Sequence, residues 1–370
     1  MGHPANLQYA RAGLNRMQID MDDTGTTSLR YRDAGVDIDR GNRLVDRIRA
    51  IASRTYRPGV LGGVGGFASL FKLPMDRYRN PVLVTAADGV GTKLRLAVET
   101  SRYETVGIDL VAMCANDVLV QGAEPVLFLD YLAMGEIELS KAQMVIEGVA
   151  RGCALAGASL VGGECAEMPG VYSGEDFDLA GFCLGLVEED RIVNGAAVHP
   201  GDRIIGLPSS GLHSNGFSLV RKVLEVSGTS LDESFDGAES LGECLMTPTR
   251  IYVGSIHRAM EEIPVKGLAH ITGGGLTLNV GRILPAGLCA RLDRGHWTMP
   301  PIVRWVREAG GIGDREMFRT FNCGIGMTLV VSAHHVDDTL RVLGELGEAP
   351  SVIGEVLLAD PRHREQVIID

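Results

Sequence analysis

Among Val36, Ile38, Leu44, Val45, Ile48 and Ile51, spacings of three, four and seven residues recur, which predicts a helix over 36–55. The pattern then changes. PVLVTAAD, residues 81–88, is a short apolar run and reads as a buried strand that the Asp-Gly pair at 88–89 ends. A second short strand is expected over 105–109, followed by a helix over 110–121 with Asp109 placed to cap it. A third strand over 125–134, a helix over 140–157 ended by Gly157, and a long apolar strand over 178–187 follow. The stretch 188–202 is polar and carries Gly and Pro. Beyond it the alternation begins again: strand 203–207, loop 208–216, helices 217–227 and 248–262, strand 267–271, then a glycine loop and further helices and strands. No short-period repeat is visible. The pattern predicts two α/β domains, 28–190 and 191–370, preceded by a loose arm over 1–27.

Composition agrees with a globular chain: 370 residues, 45% hydrophobic and 22% charged, enough for two cores. The 48 glycines are unusual; being aperiodic, they exclude collagen and suggest many turns and loops that bring backbone close to a ligand. The net charge of −12 opposes nucleic acid and, over long range, any phosphate ligand. A phosphate site would therefore need local cations, backbone N–H groups or a metal. Seven cysteines, an odd number without Cys-x-x-Cys spacing, argue against a disulfide framework and for a reducing, cytoplasmic setting. No run is long and apolar enough for a membrane span, and the first 27 residues lack the apolar core of a secretory signal.

Five segments carry candidate chemistry. Gly62-Gly63-Val64-Gly65-Gly66-Phe67 is either a backbone cradle for phosphate or a surface turn; it is neither a Walker A motif nor a dinucleotide fingerprint. Asp88-Gly89-Val90-Gly91-Thr92-Lys93 puts an acid at a strand end and a cation shortly after it, or is an ordinary turn with a solvated lysine. Asn116 and Asp117 lie in an apolar helix, where polar groups are costly unless paired, and a magnesium role is one way to pair them. Asp109 is a third metal candidate, but it lies roughly 10 Å along the helix from Asn116, so two ions or a simple helix cap are the alternatives. Glu164 and Glu167, three residues apart after a short strand, are candidates for substrate or metal. In the second half, Ser209-Ser210-Gly211-Leu212-His213-Ser214-Asn215-Gly216 and His270-Ile271-Thr272-Gly273-Gly274-Gly275 each join a strand to a helix, a natural anion site. His213 and His270 there are candidate acids or bases, or structural histidines.

These segments, with YRDAGVDIDRGN, GGVGGFASLF, DGVGTKLRLA, GIDLVAMCANDVLVQGAEPVLFLDY, LVGGECAEMPG, SSGLHSNGFSLVRK, PTRIYV, HITGGG and RTFNCGIGM in this order, resemble the aminoimidazole ribonucleotide synthetase (phosphoribosylformylglycinamidine cyclo-ligase) family over residues 28–370. The resemblance implies an N-terminal sheet that forms a barrel across a homodimer, a C-terminal α/β sandwich domain and a cleft between the two. It implies ATP-dependent closure of formylglycinamidine ribonucleotide to aminoimidazole ribonucleotide, with Mg²⁺. The implied roles are ATP binding by Gly62, Gly63, Gly65, Gly66, Asp88, Gly91 and Thr92; metal binding by Asp88, Asp109, Asn116 and Asp117; catalysis by Lys93, His213 and His270; and substrate binding by Glu164, Ser209, Ser210, Gly211, Ser214, Asn215, Thr272, Gly273 and Gly274. Leu278 and Gly281 depart from the family's more usual Glu and Pro, so the alternatives are another ATP-using relative of the fold or an inactive nucleotide-binding homologue. Selenophosphate synthetase would need a reactive residue near the first glycine loop, yet no Cys precedes Cys114.

Overall fold

The computed structural model describes residues 29–237, 239–360 and 365–370; the arm expected over 1–27 lies outside them. Helix α1 (Ile38–Ser53) begins where Asp37 accepts from the Asp39 and Arg40 N–H groups. A hairpin of β1 (Val60–Gly62) and β2 (Leu70–Phe71) brackets the glycine loop. Then come β3 (Pro81–Gly89), α2 (Lys93–Thr100), α3 (Tyr103–Leu119), β4 (Glu124–Met134), α4 (Leu139–Ala156), β5 (Ser159–Glu167) and β6 (Phe177–Glu188). The first sheet has the order β3-β6-β4-β5, antiparallel except for the parallel β4–β5 pair.

The second half supplies β7 (Arg203–Pro208), α5 (Phe217–Ser227), the two-residue strands β8 (Ser234–Phe235) and β9 (Glu239–Ser240), α6 (Leu241–Leu245), α7 (Val253–Met260), β10 (Gly267–His270), α8 (Gly275–Gly281) and β11 (Leu288–Leu292). Helices α9 (Pro301–Ala309) and α10 (Asp314–Thr320), β12 (Ile325–Val331), α11 (Val336–Glu345), β13 (Ser351–Leu358) and β14 (Val367–Ile369) complete it. Its sheet runs β10-β12-β7-β13-β11-β14. All seven residues of β12 are buried, as a strand covered on both faces requires.

Two expected elements differ. The helix expected over 248–262 is only α7 (Val253–Met260). Residues 105–109 are helical, so the expected strand and helix are a single α3, with Asp109 in its middle and not at a cap. Helix α3 packs on α4 and on the inner face of β3 and β6. Glycines make that packing close. A Cβ at Gly152 would stand 2.7 Å from Val111 Cβ, and at Gly107 2.5 Å from the Val149 nitrogen; at Gly148 it would run into the Glu104 carbonyl. These glycines serve helix contact, not the turns that composition suggested.

The outer face of the first sheet is largely apolar and is left uncovered by the described residues. Leu83, Thr85, Ala87 and Phe182 are exposed on it, and the ladder places Ala87 opposite Phe182 and Phe182 opposite Leu129. Gly148→Ala is expected to destabilise the first domain by about 1–3 kcal/mol, because backbone and not a flexible side chain must give way; calorimetry of the variant checks this, and an unchanged transition would contradict the close packing.

Candidate active site

Side chains of α3 and the loops around it meet backbone of the second half along one seam. Lys93, the first residue of α2, is fully buried, and its Nζ lies 2.7 Å from Asp109 Oδ2. It also donates to the carbonyls of His213 (2.9 Å) and Thr247 (3.0 Å) and lies 5.2 Å from the Phe217 ring centroid. Asp109 accepts through Oδ1 from the Thr249 N–H (2.8 Å) and hydroxyl (2.6 Å), and its Oδ2 has no hydrogen-bond partner beyond the charge contact with Lys93. Burial pushes the Lys93 ammonium below its usual range, and Asp109 opposes that shift. Ser214 Oγ, donating to the Val90 carbonyl at 3.1 Å, and Thr92 Oγ1, 3.0 Å from Ser218 Oγ, extend the seam.

Two turns along α3, Asn116 is also spent on structure. Its Nδ2 donates to the Arg250 carbonyl (2.9 Å) and faces His270 Nε2 (3.3 Å), while Oδ1 accepts from the Tyr252 N–H (3.1 Å). With Nε2 accepting, His270 carries its proton on Nδ1, 2.9 Å from Asp117 Oδ1. The Asp117 side chain is 45% exposed. Asp88 stands near enough for the Asp117 charge to act on it. Burial chiefly, and then Asp117, raise the Asp88 carboxyl above its ordinary range, against the Gly89 N–H and the His270 ring. His270 thus bonds Asp117, whose charge acts on Asp88, and among the described residues no lysine or arginine pairs with either carboxylate.

His213 sits at φ 62°, buried, with Nε2 accepting from the Ser210 N–H at 3.2 Å and Nδ1 without a partner. Burial first, then the charges of His270, Lys93 and Arg250, hold its pKa well below 6.5, so the ring is neutral at physiological pH. The other expected substrate groups form the wall around it. Ser209 Oγ donates to the Gly211 carbonyl and lies 3.1 Å from Asn322 Oδ1, Ser210 Oγ donates to the Pro248 carbonyl, and Asn215 Nδ2 reaches Met113 Sδ at 3.8 Å. Asn279 pins the Thr272, Gly273 and Gly275 carbonyls, which fixes the turn through Gly274 at φ 98°.

A second feature is a cavity of about 680 Å³ between α1, the glycine loop and the sheet, lined by Gly63, Gly65, Gly66, Asp130, Glu164 and Phe182 among others. Glu164 lies within β5 and is exposed, not beyond a strand as expected. Val64 N–H already donates to the Tyr56 hydroxyl (3.1 Å), and Phe67 is fully exposed at the loop's tip. The cavity and the Asp88 end of β3 share one sheet register, since Phe182 pairs with Ala87.

Residues 74–187 match the AIR synthase related protein N-terminal domain, and residues 199–367 match the C-terminal domain of the same group. The phosphoribosylformylglycinamidine cyclo-ligase of Burkholderia pseudomallei (strain 1710b) is 53% identical over 92% of this chain and 97% of its own length. That of Bordetella petrii is 54% identical over 92% and 98%. The chain belongs to the phosphoribosylformylglycinamidine cyclo-ligase family. Its curated members are ATP-dependent ligases of purine synthesis that form a C–N bond. The resemblance seen in the sequence is therefore borne out. The fold alone is shared more widely. Thiamine-monophosphate kinase from Stenotrophomonas maltophilia K279a superposes with TM-score 0.67 at 20% identity, covering 88% of this chain and 95% of that one. Hydrogenase maturation protein HypE in complex with ATP superposes with TM-score 0.64 at 16% identity, over 89% and 90%.

Against the expected cyclo-ligase roles, the geometry sorts the residues. Asp88 and Asp117 fit a cation that also meets nucleotide phosphates, because magnesium commonly takes one or two carboxylates and leaves the rest of its shell to water and substrate. Asp109 does not fit: Lys93 and Thr249 occupy both its oxygens in a sealed position. Asn116 does not fit either, its amide being shared among three partners. Among the described residues no three His, Cys, Asp or Glu side chains gather as a closed metal cage. Lys93, expected at the transferred phosphoryl group, is instead held inside the seam. Thr249, Arg250 and Tyr252 were missed as seam residues; the family-like PTRIYV stretch was the available signal.

Lys93→Met should cost about 3–5 kcal/mol by orphaning the Asp109 charge, and the double change Lys93→Met with Asp109→Leu should recover much of it. Chemical denaturation of the three variants decides; additive losses would refute the pairing.

Proposed function

We propose that this chain closes the imidazole ring of aminoimidazole ribonucleotide from formylglycinamidine ribonucleotide, converting ATP to ADP and phosphate. The observation that carries the reading is the 53% identity over 92% of this chain to a phosphoribosylformylglycinamidine cyclo-ligase; at the seam, the half-exposed Asp117 held by His270, and Asp88 at the end of β3, offer carboxylates to a cation. A bound Mg²⁺ would supply neutralisation of phosphate charge there.

The chemistry sets what the residues must do. A formamide oxygen is a poor leaving group. Transfer of the γ-phosphoryl to that oxygen breaks the terminal P–O bond of ATP and makes the oxygen able to leave. A nitrogen of the same molecule's amidine then attacks the formyl carbon, the C–O bond breaks, phosphate departs and the nitrogen loses a proton. Both steps depend on alignment and charge neutralisation more than on a protein nucleophile. Gly62, Gly63, Gly65 and Gly66 cover the triphosphate, with Gly91 and Thr92 beside it. Asp88 and Asp117 would hold the cation, and His270, oriented by Asn116, steadies Asp117. The loop Ser209–Asn215 with Thr272, Gly273 and Gly274 receives the ribose phosphate end, and Glu164 faces the other end. Lys93 acts by fixing the two halves, and neutral His213 by shaping the wall. The uncovered face carrying Leu83 and Phe182 supports a homodimer in which two such sheets close on each other.

Asp117→Asn should lower turnover by at least about 100-fold, the loss expected when a group stabilising developing charge is removed, while the thermal transition stays in place. A coupled assay should show ADP release only when ATP and formylglycinamidine ribonucleotide are both present; phosphate release from ATP alone, or full turnover by the variant, would overturn the assignment. Phe182→Glu should turn a dimer into a monomer in size-exclusion chromatography with light scattering; an unchanged mass would refute the dimer face.

A further inference from the structure

Asp130 belongs to none of the roles above. It lies in the middle of β4, its residue is only 5% exposed, and it lines the 680 Å³ cavity under the glycine loop. Apart from its own backbone N–H, no group within the described residues hydrogen-bonds or ion-pairs with its carboxyl. The elements packed against it supply no compensating charge: Cys153 of α4 and Cys165 of β5 are the titratable groups that feel it, and neither is a cation. Burial accordingly raises this carboxyl to about 7.

A buried carboxyl met only by its own N–H is costly, and such groups in native proteins are resolved by a further hydrogen bond or a ligand. The opening above it is built in. Gly163 pairs with Asp130 across the β4–β5 ladder, and a Cβ there would stand 2.5 Å from Asp130 Oδ1. Any other residue at 163 would cover the carboxyl; glycine leaves it facing the cavity. The cavity's volume is that of a small-molecule site. With Asp130 not neutralised by any cation among the described residues, the part of the cavity it faces disfavours a phosphate and favours a cationic N–H group.

We infer that Asp130 is a substrate-contacting residue, whose carboxyl takes the N–H groups of an amidine or similar cationic nitrogen entering beneath the glycine loop. This rests on the proposed ring-closing reading, whose substrate carries one amidine, and deepens it by assigning the residue that distinguishes an amidine from the corresponding amide. The geometry makes Asp130 a specificity determinant.

The test is calorimetric titration of the full chain, without ATP, by formylglycinamidine ribonucleotide and by its analogue with oxygen in place of the amidine nitrogen. Wild type should prefer the amidine by at least about tenfold, the worth of one charge-assisted hydrogen bond. In Asp130→Asn that preference should fall to within about threefold, with ATP binding and the thermal transition unchanged; losing a merely structural residue would weaken both ligands alike. Asp130→Ser gives the same readout if the asparagine variant is unstable. Equal binding of the two ligands by wild type, or an undiminished preference in the variants, overturns the inference. The two readings fail separately: absent turnover with a preserved amidine preference sinks only the ligase reading, and normal turnover with an unchanged preference in Asp130→Asn sinks only this one.

Discussion

The ion pair of Lys93 and Asp109 is the constraint on which the rest depends. Neither group tolerates the interior alone, and neither is satisfied by its own domain. The ammonium needs the His213 and Thr247 carbonyls, and the carboxylate needs Thr249. The desolvation cost of burying both charges is met only when the second half of the chain supplies these groups. The contact therefore works less as a source of stability than as a test of correct docking, since a misplaced second domain leaves two buried charges short of partners.

That docking decides which acids remain available. Along α3, Asp109 and Asn116 turn toward the second domain and are consumed by it, whereas Asp117 keeps one side toward solvent. With His270 holding it and Asp88 close by, Asp117 retains charge that the protein does not cancel. The polar residues of this helix divide into those that hold the halves together and those left for a ligand, and the division follows from which direction each faces.

Much of this was legible in the sequence. The alternation of apolar runs gives most strands and helices, because β12 is buried along its length, β4 and β6 are buried on one face, and α1 shows one apolar side. The polarity of Asn116 and Asp117 within an apolar helix correctly signals pairing. What failed has a common cause. Asp109 looks like a cap because a lone acid before an apolar run usually is one, and Lys93 looks solvated because lysines usually are; the partners that reverse both readings lie more than a hundred residues away. Gly148 and Gly152 fall in the expected helix over 140–157 and Gly107 in the expected strand over 105–109, but their part in close helix packing emerges only when α4 is seen against α3. Asp130 was passed over inside FLDYLAM as part of a strand, although a single acid in an otherwise apolar run is the same kind of signal that marked Asn116.

The distance in sequence across the seam also bears on how the molecule is made. Thr249 lies 140 residues downstream of Asp109. Until residues 247–249 are made, Lys93 and Asp109 lack the second-half partners that the folded chain gives them. The seam is therefore a part of the interior that synthesis can finish only late, because its closing groups are encoded 140 and 154 residues after the charges they meet.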